Sequence, residues 1–184
     1  NTVVTSDLGE KIAAKYGVET EKTLTGFKFI GEKVAKYELT HEKEYVFGYE
    51  ESYGSLISPF VRDKDAPQAC LMLAEAACFY KAQGKTLVDV LDGLYDELGT
   101  YQESQTSITL AGKEGAERIK EIIATFRNEA PKEIGGLKVI ASEDYGCLKR
   151  YENGSEQALI GFTKSDVLKF YLEDGSWIAV RPSG

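Results

Sequence analysis

The sequence predicts a three-layer α/β unit followed by an α+β domain in which one helix packs on an antiparallel sheet. Three observations predict it. Apolar strand-like runs alternate with helical periodicity up to Gly99. Beyond Thr100 a single long amphipathic stretch, Lys113 to Asn128, is followed by short strand-like segments. Those later segments are punctuated by Gly135-Gly136, Asn153-Gly154 and Asp174-Gly175, the dipeptides of tight hairpin turns. Two domains, 1–99 and 100–184, follow from this change of pattern.

Taken in order, Thr2 to Thr5 reads as a short strand. Ser6 or Asp7 caps the next helix, in which Leu8, Ile12 and Tyr16 form one apolar stripe and Gly17 is the stop. Leu24 to Ile30 reads as a turn and an aromatic-rich segment, with a short helix over Glu32–Leu39. Glu44 to Tyr49 is a predicted strand, and Glu50 to Asp65 a long polar loop. Asp65 and Pro67 open a helix through about Gln83, with Pro near the first helical position. Its centre, Ala69-Cys70-Leu71-Met72-Leu73-Ala74, is apolar on nearly all sides, which predicts burial on more than one face. Gly84 ends it. Thr86 caps a further helix with Leu87, Val90, Leu91, Leu94 and Leu98 inward.

In the second domain Ser107 to Leu110 alternates like a strand. The long helix places Ala116, Ile119, Ile123 and Phe126 inward. Leu137–Ile140 is a strand after the glycine turn, and Val167–Leu172 pairs with Ser176–Val180 as a hairpin.

Composition excludes several classes. The chain has 184 residues and a net charge of −8, with no Lys/Arg cluster, so nucleic acid is not an expected partner. No apolar run approaches the roughly 18–20 residues that span a bilayer, so no membrane partner is expected. No N-terminal stretch has the layout of a signal peptide. The three cysteines, Cys70, Cys78 and Cys147, form no C-x-x-C pair. They read as buried reduced thiols of a cytoplasmic protein, with no metal role. His41, the one histidine, lies in a polar turn, which leaves Ser/Cys–His catalysis without support.

Four segments carry chemistry. Glu50-Glu51-Ser52 sits between Gly48 and Gly54 just after a predicted strand, where ligands of α/β units bind. Carboxylates accept two hydrogen bonds and suit a polyhydroxylated ligand, although a solvated turn with a helix-capping acid fits the same residues. Thr25-Gly26 with Lys28 behind it is either a close backbone approach to a ligand or an ordinary turn before an edge strand. Arg62-Asp63-Lys64-Asp65 is a solvated cap or, through Lys64, a holder of a phosphate or sugar oxygen. Arg181-Pro182-Ser183-Gly184 follows a predicted buried strand and is either a surface turn with Arg181 exposed or an anion loop of a planar fork, a hydroxyl and a glycine turn. The sequence stopping inside such a loop predicts a piece of a longer protein.

Together and in this order, Thr25-Gly26-Phe27-Lys28-Phe29-Ile30-Gly31, Phe47-Gly48-Tyr49-Glu50-Glu51-Ser52-Tyr53-Gly54, Arg62-Asp63-Lys64-Asp65 and Arg181-Pro182-Ser183-Gly184 resemble the C-terminal part of the α-D-phosphohexomutase superfamily, in its bacterial phosphoglucomutase branch. The resemblance implies four domains around a cleft, of which residues 1–99 are part of the third (α/β) and 100–184 most of the fourth (α+β). It implies interconversion of glucose 1-phosphate and glucose 6-phosphate through a phosphoserine enzyme and a bisphosphate intermediate. It also implies Mg²⁺ whose ligands lie upstream, and glucose 1,6-bisphosphate as intermediate and activator. Phosphopentomutase, phosphomannomutase and a non-catalytic phosphosugar-binding module are the alternatives. Glu50 and Ser52 are implied to bind sugar hydroxyls, Thr25, Gly26 and Lys28 the substrate, and Lys64 its phosphate or reacting oxygen. Arg181, Ser183 and Gly184 are implied to grip the phosphate not being transferred. No catalytic or metal-binding residue is implied within the chain, which is expected to be inactive alone, with a frayed phosphate loop. Some members carry His two residues after the loop serine, where this sequence has Gly54; that departure favours a glucose-type enzyme.

Overall fold

The structure, a computed structural model, describes residues 1–182. It divides into two units, Asn1–Ser104 and Gln105–Gly184.

The first unit contains α1 (Leu8–Lys15), α2 (Phe27–Thr40), β1 (Gly48–Tyr49), β2 (Ser55–Leu56), α3 (Ala66–Lys81) and α4 (Leu87–Leu98). The expected strand at Thr2–Thr5 is reduced to one parallel bridge, Thr2 to Thr23. Helix α2 begins at Phe27, not near Glu32. Phe27, Ile30 and Val34 recur at helical spacing and are all buried, so the aromatic segment belongs to the helix. Gly26, at φ 112°, makes the break before it. The expected strand at Glu44–Tyr49 pairs only at Gly48–Tyr49, against β2. Phe27, Ile30 and Leu56 form the core here, with Tyr45 and Val61 against it.

Helices α3 and α4 start as their sequences predict. The Asp65 side chain accepts from the Gln68 N–H, and Thr86 forms a capping box with Asp89. Their burial does not follow the prediction. No residue of α3 is buried, and Leu71, Leu73 and Phe79 are largely exposed. Composition records what a helix must bury; among the described residues only α4 and β2 come strongly against α3. For the same reason Cys70 and Cys78 are exposed rather than buried, and Cys147 is exposed in a turn; all three are free thiols. Leu91 of α4 also faces outward.

The second unit contains α5 (Gly112–Asn128), β3 (Glu133–Ile134), β4 (Leu137–Asp144), β5 (Lys149–Glu152), β6 (Ser155–Ala158), β7 (Leu168–Leu172) and β8 (Trp177–Val180). The sheet runs β6-β5-β4-β7-β8, with β3 on β4, all antiparallel. Ser107–Leu110 forms no strand: alternation without a ladder partner leaves Ile108 exposed. Ala116 is exposed and Gly115 is buried instead, so close to Leu110 that a Cβ on it would lie 2.5 Å from the Leu110 carbonyl oxygen.

The sheet has two unlike faces. Leu168 and Phe170 pack on Ile123 and Phe126 of α5. On the other face, one register row holds Arg150, Glu143 and Lys169. Glu143 accepts from Arg150 (2.8 Å), the Tyr145 hydroxyl (2.9 Å) and the Tyr171 hydroxyl (3.1 Å). Burial raises both tyrosines' pKa values, and the adjacent Glu143 charge raises them further. The buried Lys169 ammonium lies 3.9 Å from the Trp177 ring centroid.

Two predictions follow from these charges. Glu143→Ala would strand two hydroxyls and take from Arg150 one of its two carboxylate partners, the other being Glu152, and should cost about 3 kcal/mol in urea unfolding. Burial opposes the charge on Glu21, but hydrogen bonds from Lys33, Lys43 and Tyr37 outweigh it and bring its pKa from 4.5 to about 2. A depressed carboxylate stabilises the fold above its unfolded value and loses that contribution as pH falls through the folded one. The stability difference between wild type and Glu21→Gln should therefore be present at neutral pH and vanish between about pH 4.5 and pH 2.

Candidate functional site

The hairpin β1–β2 presents residues 50–54 as its loop, closed by the Glu50 N–H donating to the Gly54 carbonyl at 2.8 Å. Glu50 is buried, 9% exposed, and its Oε1 accepts the Gly26 N–H at 2.8 Å. Gly26 is the residue before α2, so this carboxylate sits at the positive end of a 14-residue helix. Its Oε2 has no hydrogen-bond partner among the described residues. The helix-capping role and an open acceptor therefore coexist in one side chain.

The neighbouring carboxylate has a different task. Glu51 Oε2 accepts from the Thr2 hydroxyl at 2.8 Å and lies 3.4 Å from the Thr5 hydroxyl. It ties the loop to the N-terminal segment, so the adjacent acids are not a pair. Nothing local in the sequence marks Thr2 and Thr5 as its partners.

Lys64 enters the same place through a close approach. A Cβ on Gly54 would lie 2.7 Å from Lys64 Cδ and 3.4 Å from Glu50 Oε2. The absent side chain at 54 lets the lysine stem run beside the carboxylate. The ammonium is half-exposed, 3.1 Å from Asp63 Oδ1 and 5.9 Å from the Phe27 ring centroid. Behind it the Arg62 carbonyl passes so near Gly31 of α2 that a Cβ there would lie 2.7 Å from it. The Asp65 N–H donates to the Ser55 carbonyl at 2.9 Å and locks this loop to β2.

Gly26, Glu50 and Lys64 are thus brought together. Thr25 precedes Gly26 and is half-buried, and Ser52 is exposed at the loop tip. Lys28 stands apart, in the first turn of α2 with its ammonium over the Phe29 ring at 4.8 Å. In the second unit Arg181 is exposed just after β8, and Pro182 borders a cavity of about 160 Å³ with Ile119, Ile123, Arg127 and Asp166. Ser183 and Gly184 lie outside the described residues.

The family model described as phosphoglucomutase/phosphomannomutase, alpha/beta/alpha domain III, matches residues 1–98. The chain belongs to the phosphoglucomutase/phosphomannomutase family. It is 40% identical over all 184 residues to phosphoglucomutases of two strains of Staphylococcus aureus, and 38% identical to one of Staphylococcus epidermidis. It covers 33% of the length of each, so it spans about a third of the relatives it matches.

Among the described residues of this family member, no group of three or more His, Cys, Asp or Glu side chains could hold a metal ion, and no helix is long and apolar enough to cross a membrane.

The two glycine contacts differ in what must yield. Gly31→Ala meets a backbone carbonyl and should destabilise the chain by about 1–3 kcal/mol. Gly54→Ala meets a flexible stem, so melting temperature should change little while the Lys64 ammonium moves. Thermal melts and the Lys64 Nζ proton resonances check both.

Proposed function

We propose that this chain is the part of a phosphoglucomutase that reads sugar hydroxyls and holds the phosphate not being transferred. The enzyme would interconvert glucose 1-phosphate and glucose 6-phosphate through a phosphoserine and a bisphosphate intermediate. The observation that carries this is the buried Glu50 carboxylate, with one oxygen fixed by the Gly26 N–H and the other open, beside Lys64.

The chemistry suits that arrangement. The fixed oxygen orients the carboxylate before substrate arrives. The open oxygen accepts a charge-assisted bond from a sugar hydroxyl. Ser52 adds a hydroxyl at the loop tip, and Thr25 and Gly26 line the same turn. Lys64 supplies a positive charge for a phosphate or reacting oxygen, with Lys28 a further cation on the first turn of α2. Arg181, with Ser183 and Gly184, would grip the distal phosphate. Phosphoryl transfer depends on positioning and charge neutralisation more than on covalent work by the protein. Because the phosphate moves between O1 and O6, the sugar must bind in two orientations. A carboxylate that accepts from whichever hydroxyl faces it permits both.

The family's Mg²⁺ finds no fitting donor set among the described residues. In this reading the phosphoserine and the metal ligands belong to the two thirds of the relatives that the chain does not span. The glycine at 54 favours a glucose-type enzyme, because a bulky residue there would displace Lys64.

Two measurements test the proposal. The chain alone should show no turnover of glucose 1-phosphate in a dehydrogenase-coupled assay, and turnover would overturn the division of labour. Glu50→Gln keeps an acceptor for Gly26 but removes the charge. It should weaken glucose 6-phosphate binding about tenfold or more in an NMR titration; unchanged binding would sink the assignment of the loop.

A further inference from the structure

Tyr53 is the residue of the 50–54 loop with no task so far. Its φ is 69°, in the left-handed region, and its side chain is 99% exposed. That conformation is unfavourable for a bulky aromatic residue. The other non-glycine residues at positive φ have local reasons. His41 is the C-cap of α2, Asn153 makes the β5–β6 turn with Gly154, and Leu148 is a half-buried turn residue before β5. Tyr53 also lies in a hairpin turn, closed by the bond between Glu50 and Gly54, but unlike the half-buried Leu148 it gains no packing in return. A strained backbone bearing a fully wetted ring, placed between the exposed Ser52 and the Gly54 that admits Lys64, is the arrangement of a residue awaiting a ligand.

We propose that Tyr53 is a substrate-contacting residue, whose ring covers the apolar C–H face of the sugar held through its hydroxyls by Glu50. A pyranose carries hydroxyls around its edge and C–H bonds on its faces. The electron-rich face of an aromatic ring attracts those C–H bonds, and a tyrosine side chain loses little freedom when it orders. A carboxylate alone reads the edge and leaves the faces to water. This inference rests on the sugar-loop reading above and deepens it. It makes the apolar face of the sugar, as well as its hydroxyl pattern, part of what the loop recognises.

The test sets stability against binding. Tyr53→Asn places a residue that tolerates the left-handed region where no packing is lost. It should raise the melting temperature by roughly 2 °C and weaken glucose 6-phosphate binding about fivefold to tenfold in an NMR titration. Tyr53→Phe should bind as the wild type does. Inorganic phosphate, which has no C–H face, should bind Tyr53→Asn and wild type equally. A purely structural tyrosine would instead lower the melting temperature on Tyr53→Asn and leave sugar phosphate binding unchanged, and that result overturns the proposal. Loss of binding in Glu50→Gln with full binding in Tyr53→Asn sinks this inference alone. Unchanged binding in both variants sinks the sugar-loop reading with it.

Discussion

The hydrogen bond from the Gly26 N–H to Glu50 Oε1 is the constraint on which the first unit's site depends. A buried carboxylate needs hydrogen-bond donors to offset the water it gives up. Here one backbone donor, at the positive end of α2, meets part of that need and fixes where the β1–β2 loop lies against the helix. The other approaches follow from this placement. With the loop held there, Gly54 leaves room for the Lys64 stem, and Gly31 lets the Arg62 backbone pass close to α2. Each glycine removes a side chain where two segments must nearly touch, so the candidate site is assembled as much by missing atoms as by functional groups.

Glu50 and Glu143 are nearly equally buried, at 9% and 8% exposure, yet they are satisfied differently. Glu143 accepts from Arg150 on one oxygen and from Tyr145 and Tyr171 on the other, which engages both of its oxygens and pins β4, β5 and β7 together. Glu50 accepts one bond and leaves an oxygen open. A carboxylate with donors on both oxygens resists further binding, because a new donor must compete with those already there. A half-bonded carboxylate keeps its orientation and retains capacity for a ligand. This difference, more than burial or charge, separates the structural acid from the candidate binding acid.

The fold class was legible because it rests on local signals. Pro67 and Asp65, Thr86, Asn153-Gly154 and Asp174-Gly175 fix helix starts and hairpin turns within a few residues of themselves. The candidate site was legible only in part. Glu50 and Lys64 could be singled out by type, but their meeting depends on Gly54 and Gly31, whose role is set by residues distant in sequence. The pairing of Glu51 with Thr2 and Thr5 spans more than 40 residues and has no local mark. The start of α2 was misplaced because Phe27 and Phe29 suit a strand as readily as a helix, and the buried neighbours that decide the matter lie elsewhere.

Helix α3 shows the same limit from the other side. Its caps act locally and hold it as a helix of 16 residues even though none of them is buried. Its apolar centre expresses a demand that no local signal can meet, since burial needs a partner surface and a cap needs only one acceptor atom. Secondary structure and burial are therefore separate readings of one sequence. The first survives where the second fails, which is why Cys70 and Cys78 lie on the helix the periodicity predicted yet remain open to solvent.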